Sequence, residues 1–200
     1  MGQYWRLVNI DRREVGGDYG KLGDVFSDDF NHIMSLLAGP WAGCRVICIG
    51  DYMGQCPPSV LTSEEAAEIN DLDNSDCDNS EMPTLYTFSG WYYRRIRSRG
   101  SVDLRGMVLR NLTKRVYVRR DVVIEELKRS GRGGDIGNIL LTNICWSDDS
   151  SCSMMLDLTR GAWAGDRFDV VPLSSVEDEK EEWEDVTEDQ VKLTRFALSR

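Results

Sequence analysis

Two stretches of the chain share one constellation. Gly39-Pro40-Trp41-Ala42-Gly43-Cys44-Arg45-Val46 and Gly161-Ala162-Trp163-Ala164-Gly165-Asp166-Arg167-Phe168 each set an arginine two residues past a glycine and four past a tryptophan. A guanidinium in so fixed a place either forms an ion pair with a carboxylate such as Asp51 or Asp169, or binds a ligand anion. The tryptophans are expected to pack in the core, as large aromatic side chains do. On the anion reading, the candidate ligand-binding residues are Trp41, Arg45, Asp51, Trp163 and Arg167, with the two indoles as walls.

A second chemical stretch is Trp91-Tyr92-Tyr93-Arg94-Arg95-Ile96-Arg97-Ser98-Arg99. Interleaved aromatic and basic residues suit bases and phosphates. The acidic sequence on both sides would repel a polyanion, so nucleic acid is not the expected partner. Arg94, Arg95, Arg97 and Arg99 are instead candidates for holding a protein partner. Residues 1–91 carry 5 basic and 15 acidic side chains, residues 92–132 carry 13 and 4, and residues 133–200 carry 6 and 15. A basic middle between acidic ends pairs internally or holds an acidic partner.

Little else in the chain could do covalent chemistry. His32 is the single histidine; it falls on a predicted helix between Phe30 and Met34 and reads as a structural side chain. No Walker, Rossmann or G-x-S-x-G pattern is present. Gly131-Arg132-Gly133-Gly134-Asp135 would cradle a phosphate only if it opened a helix at Ile136; a loop absorbing extra residues explains it as well. Cys44, Cys48, Cys56, Cys77, Cys145 and Cys152 lack the spacing of a zinc site and are expected to be reduced thiols. Residues 71–81 resemble a calcium loop, but Asp76 stands where the turn glycine belongs and Met82 where the last acidic ligand belongs, so a solvated acidic linker is expected. No metal and no cofactor is expected.

The elements that position these residues repeat. Leu7-Val8-Asn9-Ile10-Asp11-Arg12-Arg13 resembles Leu109-Arg110-Asn111-Leu112-Thr113-Lys114-Arg115 at an offset of 102 residues, whereas the tryptophan–glycine stretches are offset by 122. A weaker echo sets Leu22-Gly23-Asp24 against Ile136-Gly137-Asn138. The chain is therefore expected to be an internal duplication. Each Asn-centred stretch reads as a hairpin turn, joining residues 4–9 to 13–15 and 107–111 to 115–119. Residues 45–49 form a continuous apolar run, the pattern of a strand covered on both faces; residues 167–171 alternate, as in a strand covered on one.

Helices are predicted from Ser27-Asp28-Asp29 through Leu37, from a Thr62/Glu65 capping box to Asn70, over 121–130 with Gly131 as its stop, and from a Thr187/Gln190 capping box to the C-terminus. Residues 137–146 read as helix, then extended chain. Trp91 to Tyr93 are assigned to a strand closing the first copy, and the acidic run 177–189 to a solvated lead into the last helix.

The motifs M-G-Q-Y-W, L-V-N-I-D-R-R-E, C-I-G-D-Y, L-R-N-L-T-K-R and W-A-G-D-R resemble a family of uncharacterised mushroom-type (basidiomycete) fungal proteins over nearly the whole length. Some members of that family carry an F-box, which adapts substrates to ubiquitin ligases; this chain has no such segment, and the resemblance implies no activity or site residue.

The expected fold is α+β, with two pseudo-symmetric hairpin–helix–strand repeats, 1–100 and 101–200, packed into one compact domain. No membrane span or secretory signal is read, and Arg6 stands where an N-myristoylation motif wants Ser or Thr. The expected function is a cytoplasmic or nucleocytoplasmic interaction module with an unidentified protein partner, with enzyme activity left open. The alternative is a small enzyme or binder of an anionic small molecule at the seam between repeats.

Overall fold

The computed structural model describes residues 3–21, 24–25, 30–52, 56–57, 60–71, 84–96, 102–131, 133–147, 160–179 and 182–197. Arg97, Arg99, Cys77, Cys152, nearly all of the 71–81 linker, and Ser27 to Asp29 lie outside them. The described chain is mixed α+β, with helices on both faces of one nine-stranded sheet.

The first hairpin joins β1 (Trp5–Asn9) to β2 (Glu14–Tyr19), and the second joins β5 (Met107–Asn111) to β6 (Val116–Arg119). Both turns rest on an asparagine. Asn9 Oδ1 accepts the Arg12 N–H at 3.0 Å, and Asn111 Oδ1 accepts the Thr113 and Lys114 N–H groups at 3.1 Å each. The residue entering each second strand is left-handed, Arg13 at φ 51° and Arg115 at φ 57°.

Strand β3 (Cys44–Gly50) pairs with β1, Asn9 opposite Val46; β8 (Arg167–Pro172) pairs with β5, Asn111 opposite Phe168. β3 and β8 then pair with each other, antiparallel, Arg45 opposite Arg167. Two-residue strands lie at the sheet's ends: β4 (Arg94–Arg95) parallel to β2, and β9 (Glu184–Asp185) parallel to β6. The order is β4-β2-β1-β3-β8-β5-β6-β9, and β7 (Cys145–Trp146) lies beside the far end of β3.

Helices α1 (Phe30–Leu37) and α5 (Ile136–Ile144) pack together, α1 against β8 and α5 against β3. They cover the face carrying Trp5, Leu7, Val46, Cys48, Phe168 and Val170. Helices α2 (Ser63–Asp71) and α3 (Leu85–Tyr92) enclose a second core on the other face, with Val8, Ile10, Ile47 and Ile49. The unbroken apolar run in β3 thus fills both cores, whereas β8 alternates, turning Asp169 away from Phe168 and Val170. Helix α4 (Arg120–Arg129) is followed by Gly131 at φ 73°; α6 (Ser174–Glu177) and α7 (Thr187–Ala197) complete the chain.

Three expectations need correction. Trp91 and Tyr92 are helical, because Thr84 and Thr87 cap each other reciprocally and Leu85 and Phe88 bind α3 to the second core. The Thr62/Glu65 capping box forms, but the Thr187/Gln190 box does not: the Thr187 hydroxyl accepts the Arg119 N–H and donates to Asp185, while Gln190 Oε1 accepts from Asn143 Nδ2. The acidic run 177–189 is not merely solvated, since it contains β9.

Candidate functional site

Each tryptophan–glycine stretch bends the chain into a strand. The bends need glycine, because Gly43 and Gly165 sit at φ 76° and 80°, where a Cβ is strained. Their backbone bonds cross between strands: the Gly43 N–H donates to Phe168 O at 2.8 Å and the Gly165 N–H to Val46 O at 3.0 Å. Arg45 and Arg167, two residues on, are therefore brought face to face.

Arg45 is nearly enclosed. Its backbone N–H and Nε donate to Asp11 at 2.9 and 2.7 Å, and its terminal nitrogens donate to Glu65 at 2.7 and 3.1 Å and to Val60 O at 2.9 Å. Arg167 donates to the same Asp11 at 2.7 Å and to Gly43 O at 2.8 Å. The hydrogen bond from Arg45 holds Glu65 below the usual carboxylate range. Burial pushes Asp11 up, but the bonds from Arg45 and the charges of both arginines outweigh it and leave that carboxyl lowered. The Glu65 and Asp11 bonds raise Arg45 in turn. Two guanidiniums and two carboxylates make the seam electrically neutral, so an added anion must compete with an existing carboxylate.

Arg45 and Arg167 are thus together, and Asp51 is apart from them. Its Oδ1 accepts the Tyr4 N–H at 3.0 Å beyond the far end of β3, about 20 Å along an extended strand from Arg45. The carboxylates at the seam are Asp11 and Glu65 rather than Asp51 or Asp169. Asp169 instead takes a bidentate pair from Arg110 at 2.8 and 2.7 Å, with the Arg110 guanidinium over the Trp183 ring at 4.6 Å. Trp41 and Trp163 are buried, as expected: Trp41 Nε1 donates to Glu14 Oε2 at 2.7 Å, and Trp163 packs against Phe168. Asp11 was visible only as a turn residue and Glu65 only as half of a capping box; nothing local linked them to Arg45.

The second candidate surface lies where α3 runs into β4. Trp91 and Tyr92 are 64% and 55% exposed, their rings edge to face with centroids 6.5 Å apart. The next two arginines, Arg94 and Arg95, have side chains 73% and 60% exposed. Arg94 also pairs with the buried Glu14 and Arg95 with Asp18, so the edge is tied to β2 and, through Glu14, to Trp41. Burial raises Glu14, but Arg94 and Trp41 donate to it and leave it lowered. Much of the remaining basic segment is neutralised within the chain: Arg105 by Asp103, Arg115 by Glu182, Arg119 by Asp121, Arg120 by Asp135, and Arg129 by Glu125 and Glu126.

The other motifs have structural partners. His32 Nε2 donates to Gly16 O at 2.6 Å. The glycine loop does open a helix at Ile136, but the Asp135 carboxylate already caps that N-terminus, accepting from the Ile136 N–H at 2.7 Å. Cys44, Cys48, Cys56 and Cys145 are free thiols. Among the described residues no three His, Cys, Asp or Glu side chains are placed to share a metal ion, and no helix is long and apolar enough to cross a membrane. Cavities of about 380 and 240 Å³ lie along α4 and α7, away from both candidate surfaces. No family model, curated protein or solved structure matches the chain.

Proposed function

We propose that this protein is an intracellular interaction module that contacts a protein partner through the rim formed by Trp91, Tyr92, Arg94 and Arg95. The observation that carries this reading is the exposure of a tryptophan and a tyrosine beside two arginines, at the end of a sheet that buries Trp5, Trp41 and Trp163. Trp, Tyr and Arg are the residues over-represented at interaction hot spots, because they combine large contact area with directional polar groups. A pull-down from host lysate tests it. Proteins captured by the wild type are expected to be lost with Trp91→Ala/Tyr92→Ala and retained with Asp11→Asn at the seam. Equal capture by all three chains overturns the proposal.

The same reading takes the chain as two copies of one unit about an approximate two-fold axis between Arg45 and Arg167, within the fungal family it resembles. Supporting this, Asn9–Val46 and Asn111–Phe168 occupy the same register. Ile10 and Leu112 donate equivalently to Arg45 O and Arg167 O, and β4 and β9 hold equivalent places on β2 and β6. The Trp41 N–H bonds Leu36 O and the Trp163 N–H bonds Asn143 O. The echo at Leu22-Gly23-Asp24 falls largely outside the described residues.

A second reading, an anionic small molecule at the seam, draws on Arg167, whose side chain is 47% exposed against 16% for Arg45. A thermal-shift screen with nucleotides and sugar phosphates tests it: an upward shift abolished by Arg167→Ala supports it through ligand linkage, and no shift removes it.

A further inference from the structure

The two end strands of the sheet carry side chains of opposite charge, the basic pair also bonded to Glu14 and Asp18 of β2. At one end, β4 is Arg94–Arg95; at the other, β9 is Glu184–Asp185, and all four residues are exposed. Among the described residues each end strand pairs on one side only, β4 with β2 and β9 with β6. The Arg94 and Ile96 N–H groups turn inward to Arg13 O and Val15 O, and the Glu184 and Val186 N–H groups turn inward to Arg115 O and Tyr117 O. Strand alternation therefore turns the backbone N–H and C=O of Arg95 and of Asp185 outward.

Strand direction completes the match. Following the pairings across the sheet, β4 and β9 run in opposite directions. A neighbouring copy related by translation would thus set its β4 antiparallel to the first copy's β9, with Arg95 and Asp185 able to exchange backbone bonds through their outward-facing groups. Exposed edges are ordinarily guarded by charge against pairing. Here that guard is selective: basic against basic and acidic against acidic repel, whereas basic against acidic attract.

We propose that the partner at the β4 rim is a second copy of this chain, docking its acidic β9 edge on the basic β4 edge to extend the sheet head to tail. The proposal rests on the rim being the binding surface. Such a contact is heterologous, so each added copy leaves one basic and one acidic edge free, and assembly continues beyond a dimer until twist closes it or ends it.

Sedimentation of the full chain tests it, in about 20 mM and about 0.5 M salt, since exposed charge pairs are screened at the higher value. At low salt the wild type is expected to show mass rising with concentration beyond twice 22.7 kDa, and to return to 22.7 kDa at high salt. Arg95→Glu and Glu184→Arg are each expected to stay monomeric. Their equimolar mixture retains one matched contact, the unaltered β9 of the first with the unaltered β4 of the second, and is expected to stop at a dimer. Glu184 takes part in no ion pair among the described residues, so its variant tests the contact even if Arg95→Glu, which loses Asp18, fails to fold by circular dichroism. A wild type that stays monomeric at low salt overturns the proposal, as does assembly that a folded Glu184→Arg leaves unchanged. A monomeric wild type that still loses its captured proteins through Trp91→Ala/Tyr92→Ala removes the second copy and leaves the interaction module standing.

Discussion

Arg45 and Arg167 stand directly across the β3–β8 register, and both reach one carboxylate, Asp11. Opposed like charges repel, so the close pairing of these strands depends on the anion between them. Glu65 adds a second carboxylate from α2, which fastens that helix to the same point.

Asp11→Asn is therefore expected to cost about 2 kcal/mol at neutral pH, leaving two partly buried guanidiniums with one carboxylate. Asp11 and Glu65 both have lowered pKa values in the folded chain. Their contribution is complete above the unfolded carboxylate values of about 4 and is lost as pH falls through the folded values. Urea unfolding between pH 7 and 3 checks it. The wild type is expected to lose stability faster than Asp11→Asn at the acid end, and parallel pH profiles would remove the seam as the cause.

Gly43 and Gly165 share a left-handed backbone but not their surroundings. A Cβ at Gly43 meets nothing closer than Leu112 Cδ1 at 4.0 Å, whereas one at Gly165 meets Val60 Cγ2 at 2.6 Å and the Val60 Cα at 3.1 Å. Gly43→Ala is expected to cost about 1 kcal/mol through backbone strain alone, and Gly165→Ala about 2–3 kcal/mol because Val60 must also move. Equal losses in denaturant midpoints would contradict this.

Asn9 and Asn111 hold the two hairpin turns, but among the described residues only the Asn111 amide finds an acceptor. Asn111 Nδ2 donates to Asp166 at 2.8 Å; the buried Asn9 Nδ2 finds no acceptor among the described residues, and Cys44 stands two residues before Val46 where Asp166 stands two before Phe168. Asp166→Ala is expected to cost about 1–3 kcal/mol by stranding the Asn111 amide. Cys44→Asp gives Asn9 an acceptor and is expected to raise stability by about 1 kcal/mol. Thermal unfolding of the two variants reads both signs.

Several features were legible because their causes are local. Asn9 and Asn111 bond backbone two or three residues on, Thr62 and Glu65 cap each other across one turn, and the β3 run has no polar face to offer solvent. The strand assignment of Trp91 and Tyr92 misses the Thr84 cap, which starts α3 seven residues earlier. The Thr187/Gln190 pattern failed for the opposite reason: Arg119, 68 residues away, takes the hydroxyl the box required.

The residue order by itself determined the mixed α+β class, the two asparagine turns and the burial of Trp41 and Trp163, since each follows from backbone preference or from the size of one side chain. Only the tertiary structure decided which carboxylates Arg45 takes, that Asp51 lies far from it, and that the basic and acidic runs end on opposite edges of one sheet. Those outcomes depend on strand order and register. Both are chosen by packing two cores at once, and no short window of sequence contains that choice.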